Sequence, residues 1–171
     1  MKMEILLVDG YNMIGDWPDL RILRDKDLAA ARDLLVDKMA EYQAYTGMRV
    51  IIVFDAHYVP GTETKFKNYR IEVIFTKENE SADERIEKLA KELKNIRTKV
   101  HVATSDFLEQ WVTFGLGALR KSARELAIEV NQIEKRISQK VDDMQNERRS
   151  SSLLLSEEVA EIFEKWRRGD R

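Results

Sequence analysis

The chain has 171 residues, 43% of them hydrophobic and 35% charged, the balance of a globular chain long enough for one ordinary domain with its own core. Its 29 basic and 31 acidic side chains leave a formal net charge of −2, which excludes binding of nucleic acid by bulk positive charge but leaves a local basic patch open. Cysteine is absent and histidine occurs only twice, so disulfide scaffolds, thiolate zinc sites, cysteine nucleophiles and multi-histidine metal centres drop out.

The first apolar run, Ile5 to Val8, is ended by Asp9-Gly10 and reads as a fully buried strand. Glu4 and Asp9 interrupt the N-terminal apolar stretch, so it does not read as a secretion signal. No apolar run approaches the ~18–20 residues of a membrane span. The expectation is a cytoplasmic protein with no membrane partner. Asp27 is placed to cap a helix with Leu28, Ala31, Leu35, Met39 and Tyr42 on one stripe and Gly47 past its end. Val50 to Phe54 is a second buried strand, ended by Asp55; a loop with Pro60-Gly61 follows, then a third strand from Ile71 to Phe75. Ser81-Ala82-Asp83-Glu84 is a capping box opening a helix with Ile86, Leu89, Ala90 and Leu93 on one face. Val100 to Ala103 is a fourth strand, followed by Thr104-Ser105-Asp106 and a helix broken near Gly115 and Gly117. A long helix is expected from about Leu119 to about Gln145, and a last one capped by Ser156 and closed by Gly169. Continuous apolar strands alternating with helices mean a parallel sheet covered on both faces. Without a linker or repeat, residues 1–171 read as one α/β domain, helical from about residue 119.

The acids fall at strand ends. Asp9 ends the first strand, Asp55 the second and Asp106 the fourth, while Glu80 and Asp83 open the helix after the third. In an open parallel sheet the ligand crevice lies outside the carboxyl ends of the strands, and neighbouring strands are ~5 Å apart, so these carboxylates can share one rim. Each alone has a plainer reading: Asp9-Gly10 as a turn, Asp83 as a complement to a helix dipole, Asp106 as a helix cap, Asp55 as a cap or turn after its strand, and Glu80 as solvated. Together they repel unless a cation lies between them. With oxygen donors only, Mg²⁺ or Mn²⁺ suits best, the equipment for attacking a phosphodiester. Asn12, three residues past Asp9, can orient a carboxylate, a water or a phosphate oxygen.

Val8-Asp9-Gly10-Tyr11-Asn12, Val53-Phe54-Asp55-Ala56, Glu80-Ser81-Ala82-Asp83 and Ala103-Thr104-Ser105-Asp106, in that order, resemble the NYN domain family, a branch of the PIN-like nucleases. The stretch from Glu109-Gln110-Trp111 through Gly117-Ala118-Leu119-Arg120-Lys121-Ser122-Ala123-Arg124-Glu125-Leu126 resembles its YacP-like subgroup. The likeness covers nearly the whole chain. It implies a PIN-like Rossmannoid fold, a mostly parallel sheet flanked by helices with a helical C-terminal extension, and an Mg²⁺-dependent endoribonuclease. It also implies a ribosome-associated bacterial enzyme that cuts mRNA in the A site of translating ribosomes. Carried over residue by residue, Asp9, Asn12, Asp83 and Asp106 match the family site, with Asp9, Asp83 and Asp106 as metal ligands; Glu80 and Asp55 match less certain positions.

For RNA contact, Lys65, Lys67 and Arg70 interleave with Phe66 and Tyr69, a pattern that suits phosphate plus stacking, though a solubilising loop accounts for it equally. Arg120, Lys121 and Arg124 offer a second basic group, with solvated helix surface as the alternative; Arg148-Arg149 and Arg167-Arg168 read as solvated charge. His57, near the rim, is a weaker acid–base candidate, and His101, inside a strand, reads as structural. The competing reading is a noncatalytic RNA- or ribosome-binding module on the same fold. A phosphoacceptor receiver domain needs paired acids after the first strand, and a haloacid-dehalogenase-type phosphatase needs Asp-x-Asp there; Asp9-Gly10-Tyr11 provides neither.

Overall fold

A computed structural model describes residues 2–56 and 71–169. Five strands, β1 (Met3–Asp9), β2 (Arg49–Phe54), β3 (Glu72–Phe75), β4 (Thr98–Ala103) and β5 (Leu119–Lys121), form one sheet in the order β3-β2-β1-β4-β5. Every pairing is parallel. The chain runs outward from β1 to β3, then returns across it to lay β4 on its other side. The carboxyl ends of β1 and β4 therefore flank the point where the strand order reverses, the place such a sheet leaves open for a ligand.

Period-two alternation sends Ile5 and Leu7, Ile51 and Val53, and Val100 and Val102 to one face, where they form a buried cluster with Ala82, Ile86 and Ala90 of helix α4 (Ala82–Leu93). Leu6, Val8, Val50, Ile52 and Phe54 point the other way and are equally buried. On that side lie α1 (Gly10–Asp16) and α3 (Leu28–Thr46), both in contact with β2. Burial on both faces explains why the strands are unbroken apolar runs. The expected caps form: Asp27 accepts from the Ala30 N–H, Ser81 accepts from the Glu84 N–H, and Gly47 ends α3 at φ 75°.

Three local expectations are corrected. Asp9-Gly10 is no turn: α1 begins at Gly10, and α2 (Pro18–Lys26) follows with Pro at its first position. A Cβ on Gly10 would lie 2.3 Å from the Phe54 ring, so only glycine lets the helix start against the sheet there. Leu119–Lys121 is strand rather than helix: Gly117, at φ 90°, follows the end of α5 (Phe107–Gly115) and turns the chain, and from Leu119 three residues pair with β4. Ser122 then caps α6 (Ala123–Arg168), its Oγ accepting from the Glu125 N–H. Finally, Ser156 lies inside α6. Neither Gly nor Pro occurs between Gly117 and Gly169, and the serines from 150 to 156 lower helix propensity without breaking it.

Two compact units are distinguished, Met1–Asn131 and Gln132–Arg171. In the first, the Trp17 indole donates to the Ala123 carbonyl at 2.9 Å, and Lys121 and Tyr42 converge on the Glu129 carboxylate at 2.8 Å. In the second, Leu153, Leu154, Leu155, Phe163 and Trp166 are exposed along α6. No helix among the described residues is long and apolar enough to cross a membrane.

Candidate active site

Asp9 is the last residue of β1, only 8% exposed, beside the fully buried Thr104 that follows β4. Asp83 sits in the first turn of α4, fixed by the Ser81 cap. Glu109 sits in the first turn of α5 and is 2% exposed. One carboxylate oxygen from each of these three residues lies within 4.8 Å of the others. Both Glu109 oxygens are buried and find no hydrogen-bond donor. Carboxylates that face only one another must hold a proton or a cation between them.

Without a cation the proton wins. Burial first, then the charge of Asp9, then that of Asp83, push the Glu109 carboxyl up to about 10. Burial also raises Asp9 to about 6; the hydrogen bond from Glu109 opposes the rise and the Asp83 charge adds to it. The two titrate as a unit, and at neutral pH Glu109 keeps the proton and donates it toward its neighbours. A hard divalent cation would replace that proton. The donor set is all oxygen, which fits Mg²⁺ or Mn²⁺, and the orphaned Glu109 oxygens are what such an ion would satisfy.

Asp106 stands one helical turn before Glu109 and adds its charge to the field at Asp9. One of its oxygens is committed to capping α5, accepting from the Leu108 and Glu109 N–H groups at 3.0 and 3.4 Å. Asn12 meets the same loop: its Oδ1 accepts from the Ser105 N–H at 2.7 Å and from the Ser105 hydroxyl at 2.9 Å. Gln110 closes the loop from the other side, its Nε2 donating to the Thr104 carbonyl at 2.6 Å. The segment carrying Asp106 is thus held by α1 and α5 together. Glu80 lies apart from the triad, paired to Arg85 at 2.6 Å. Asp55 follows β2, half-buried.

Among the basic candidates, Lys121 is taken up by Glu129 and Tyr42 inside the protein, whereas Arg120 and Arg124 are exposed. Lys65, Lys67, Arg70 and His57 lie outside the described residues. His101 faces Glu4 at 3.4 Å, and burial lowers its pKa, in keeping with a structural role.

Glu109 is the residue that a reading of strand ends passes over. The available signal was the spacing: Asp106 and Glu109 are three apart and so share a helix face, and Glu109 and Thr113, four apart, put two of the three polar residues of an otherwise apolar segment on one face.

A parallel sheet whose reversal point gathers buried carboxylates is the architecture of a PIN-like nuclease. The sequence agrees: residues 6–168 match the YacP-like NYN domain family, and the chain belongs to it. It is 64% identical over 168 residues to the uncharacterized protein YacP of Bacillus subtilis (strain 168), covering 98% of this chain and 99% of that one. The crystal structure of Rae1 (YacP) from Bacillus subtilis superposes with a TM-score of 0.79 at 64% identity, covering 98% of this chain and 97% of that one. A tryptophan-to-leucine variant of Rae1 gives 0.74 at 62% identity, over 82% of each chain. Membership places the chain in a nuclease superfamily, with a nuclease-like, RNA-related role.

Proposed function

We propose that the protein is a divalent-cation-dependent endoribonuclease of the cytoplasm that cleaves mRNA in the A site of translating ribosomes. The observation that carries the nuclease reading is the Asp9–Asp83–Glu109 triad, with Asp9 and Glu109 buried and both Glu109 oxygens orphaned. These three residues would hold Mg²⁺ or Mn²⁺, with Asp106 at the edge of the site. When bound, the cation supplies charge neutralisation of the scissile phosphate and activation of water for hydrolysis.

The rest belongs to the chain. Asp9 and Glu109, both buried, hold a proton between them and would release it on taking up the cation. Asn12 and Gln110 hold the Thr104–Asp106 segment still, so that the charge of Asp106 stays at the rim. Arg120 and Arg124 contact phosphates, as do Lys65, Lys67 and Arg70; Glu80 and Asp55 play lesser parts. A formal charge of −2 makes free RNA a weakly attracted partner, which suits a cutter delivered by docking on the ribosome.

The test is a defined mRNA, on translating ribosomes and naked, incubated in Mg²⁺ with the protein or its Asp9→Asn variant, with cuts mapped by primer extension. The expected outcome is cleavage confined to the A-site codon, lost in a variant that stays folded because Asp9 is already easy to neutralise. Retained cleavage by Asp9→Asn removes the site assignment. Cleavage of naked RNA as well keeps the nuclease and removes the ribosome requirement. Cosedimentation with ribosomes and no cleavage means a binding module.

A further inference from the structure

Helix α5 is inside out. Its buried positions are Glu109 and Thr113, while Phe107 (65%), Leu108 (71%), Trp111 (62%) and Phe114 (59%) are exposed. Glu109 is inside because the acidic cluster needs it; nothing inside the protein requires the aromatic residues to be outside. Trp111 and Phe114, three residues apart on one face, line a cleft of about 290 Å³ with Gln110 and with Arg120 of β5. Phe107 packs edge-on against the Trp111 ring, centroids 6.1 Å apart at 74°, and steadies it. The Gln110 amide is fixed by its bond to Thr104. Arg120 has no ion-pair partner among the described residues, unlike Lys121 beside it.

We propose that this cleft is a stacking subsite for one unpaired base of the RNA strand, with Arg120 taking an adjoining phosphate. The inference rests on the ribonuclease reading above and names a second point at which the same substrate is held. Its occupant is argued from three features. The walls are flat aromatic rings, which take a planar heterocycle without regard to sequence. The charge at the mouth is positive and opposes a phosphate. The cleft lies one helix away from the acidic site: Glu109 and Trp111 are two residues apart on α5 and face opposite ways, so one helix diameter, about 10–12 Å, separates triad from cleft, a span that one strand can bridge. A base in a duplex is already stacked and paired and does not enter such a slot.

The experiment labels the protein with 5-fluorotryptophan, giving three ¹⁹F resonances from its three Trp, with Trp111 identified by Trp111→Phe. A short single-stranded RNA, and a duplex of the same sequence, are titrated in Ca²⁺ so that binding is read apart from Mg²⁺-dependent cleavage. The expected result is movement of the Trp111 signal with the single strand and not with the duplex. Trp111→Ala and Arg120→Ala, both at exposed positions, should each weaken binding at least fivefold, the lower end of what one stacked base contributes, with unchanged far-UV circular dichroism. A Trp111 signal that stays still at saturating RNA, or in the absence of any RNA binding, overturns the proposal. So does one that moves equally with duplex, or only with ribosomes lacking mRNA, which would give the cleft to a ribosomal surface. Occupancy of the cleft without cleavage in Mg²⁺ would keep the subsite and remove the nuclease reading, so the two fail separately.

Discussion

Helices α4 and α5 each deliver one carboxylate to the acidic triad, and they do it by opposite means. In α4 the inner face is Ala82, Ile86 and Ala90, packed on the sheet, and Asp83 sits at the margin of an ordinary amphipathic helix. In α5 the inner face is Glu109 and Thr113, with the Thr113 hydroxyl donating back to the Glu109 carbonyl at 2.8 Å, and the large apolar side chains lie outside. Helix α4 is held by burial of hydrocarbon and carries its acid at little cost. Helix α5 gives up that burial to put a carboxylate where water is excluded. One helix is built for stability and the other for the site.

The largest test of that contrast is a pair of truncations. Ile86→Ala should destabilise the protein by about 2–5 kcal/mol through lost burial and a residual cavity. Trp111→Ala, though it removes a larger side chain, should stay within about 0.5 kcal/mol of the parent in urea unfolding. If the two losses are comparable, Trp111 packs against the fold and α5 is not inverted.

A second, smaller effect comes from the proton held in the triad. The folded-state values of Glu109 and Asp9 lie above their ordinary ones, so between those limits the folded chain binds protons that the unfolded chain has released. Metal-free stability is then full below about pH 4, falls as pH rises through the range up to about 6 for Asp9 and up to about 10 for Glu109, and levels off above. Glu109→Gln should flatten the alkaline part of that decline. At pH 8 it should stabilise the metal-free protein by roughly one to a few kcal/mol, since each unit of displacement is worth about 1.4 kcal/mol. Added Mg²⁺ should raise the melting point of the parent and leave that of the variant unmoved. Thermal melts across pH, with and without Mg²⁺, read both; a parent whose melting point rises with pH in chelator contradicts the assignment.

The same contrast marks what could be read without a structure. The strands, α3 and α4 were legible because burial on both faces writes an unbroken apolar run and because Asp27, Gly47 and Ser81 punctuate the helices in the usual way. The placing of Asp9, Asp83 and Asp106 at the carboxyl rim was legible because strand ends and first turns have fixed places at the rim of a parallel sheet. Glu109 was not, because a carboxylate inside a helix normally marks the wet face, and only the packing of α5 reverses that inference. Leu119–Lys121 was missed for a related reason. Three residues are too few to show a period of two, and their being strand depends on β4 lying alongside. Lys121 looked like a phosphate contact by type and position; Glu129, eight residues later, claims it from the next element.

The smallest effect separates the two jobs of Asp106. Ser81 and Asp106 are both N-caps, one on each helix, and Ser81→Ala should cost about 1 kcal/mol by leaving the Glu84 N–H unpaired. Asp106→Asn keeps an oxygen for the Leu108 and Glu109 N–H groups, and Asn caps as well as Asp, so stability should change by no more than a few tenths of a kcal/mol. The substitution does remove a negative charge that acts on Asp9. If Asp106 serves only as a cap, the variant should match the parent in cleavage and in Mg²⁺ dependence. If its second oxygen or its charge serves the site, Asp106→Asn should need more Mg²⁺ for half-maximal activity while its unfolding curve overlays that of the parent. A shifted Mg²⁺ requirement with unshifted stability assigns Asp106 to the site; no shift in either leaves the chemistry to Asp9, Asp83 and Glu109.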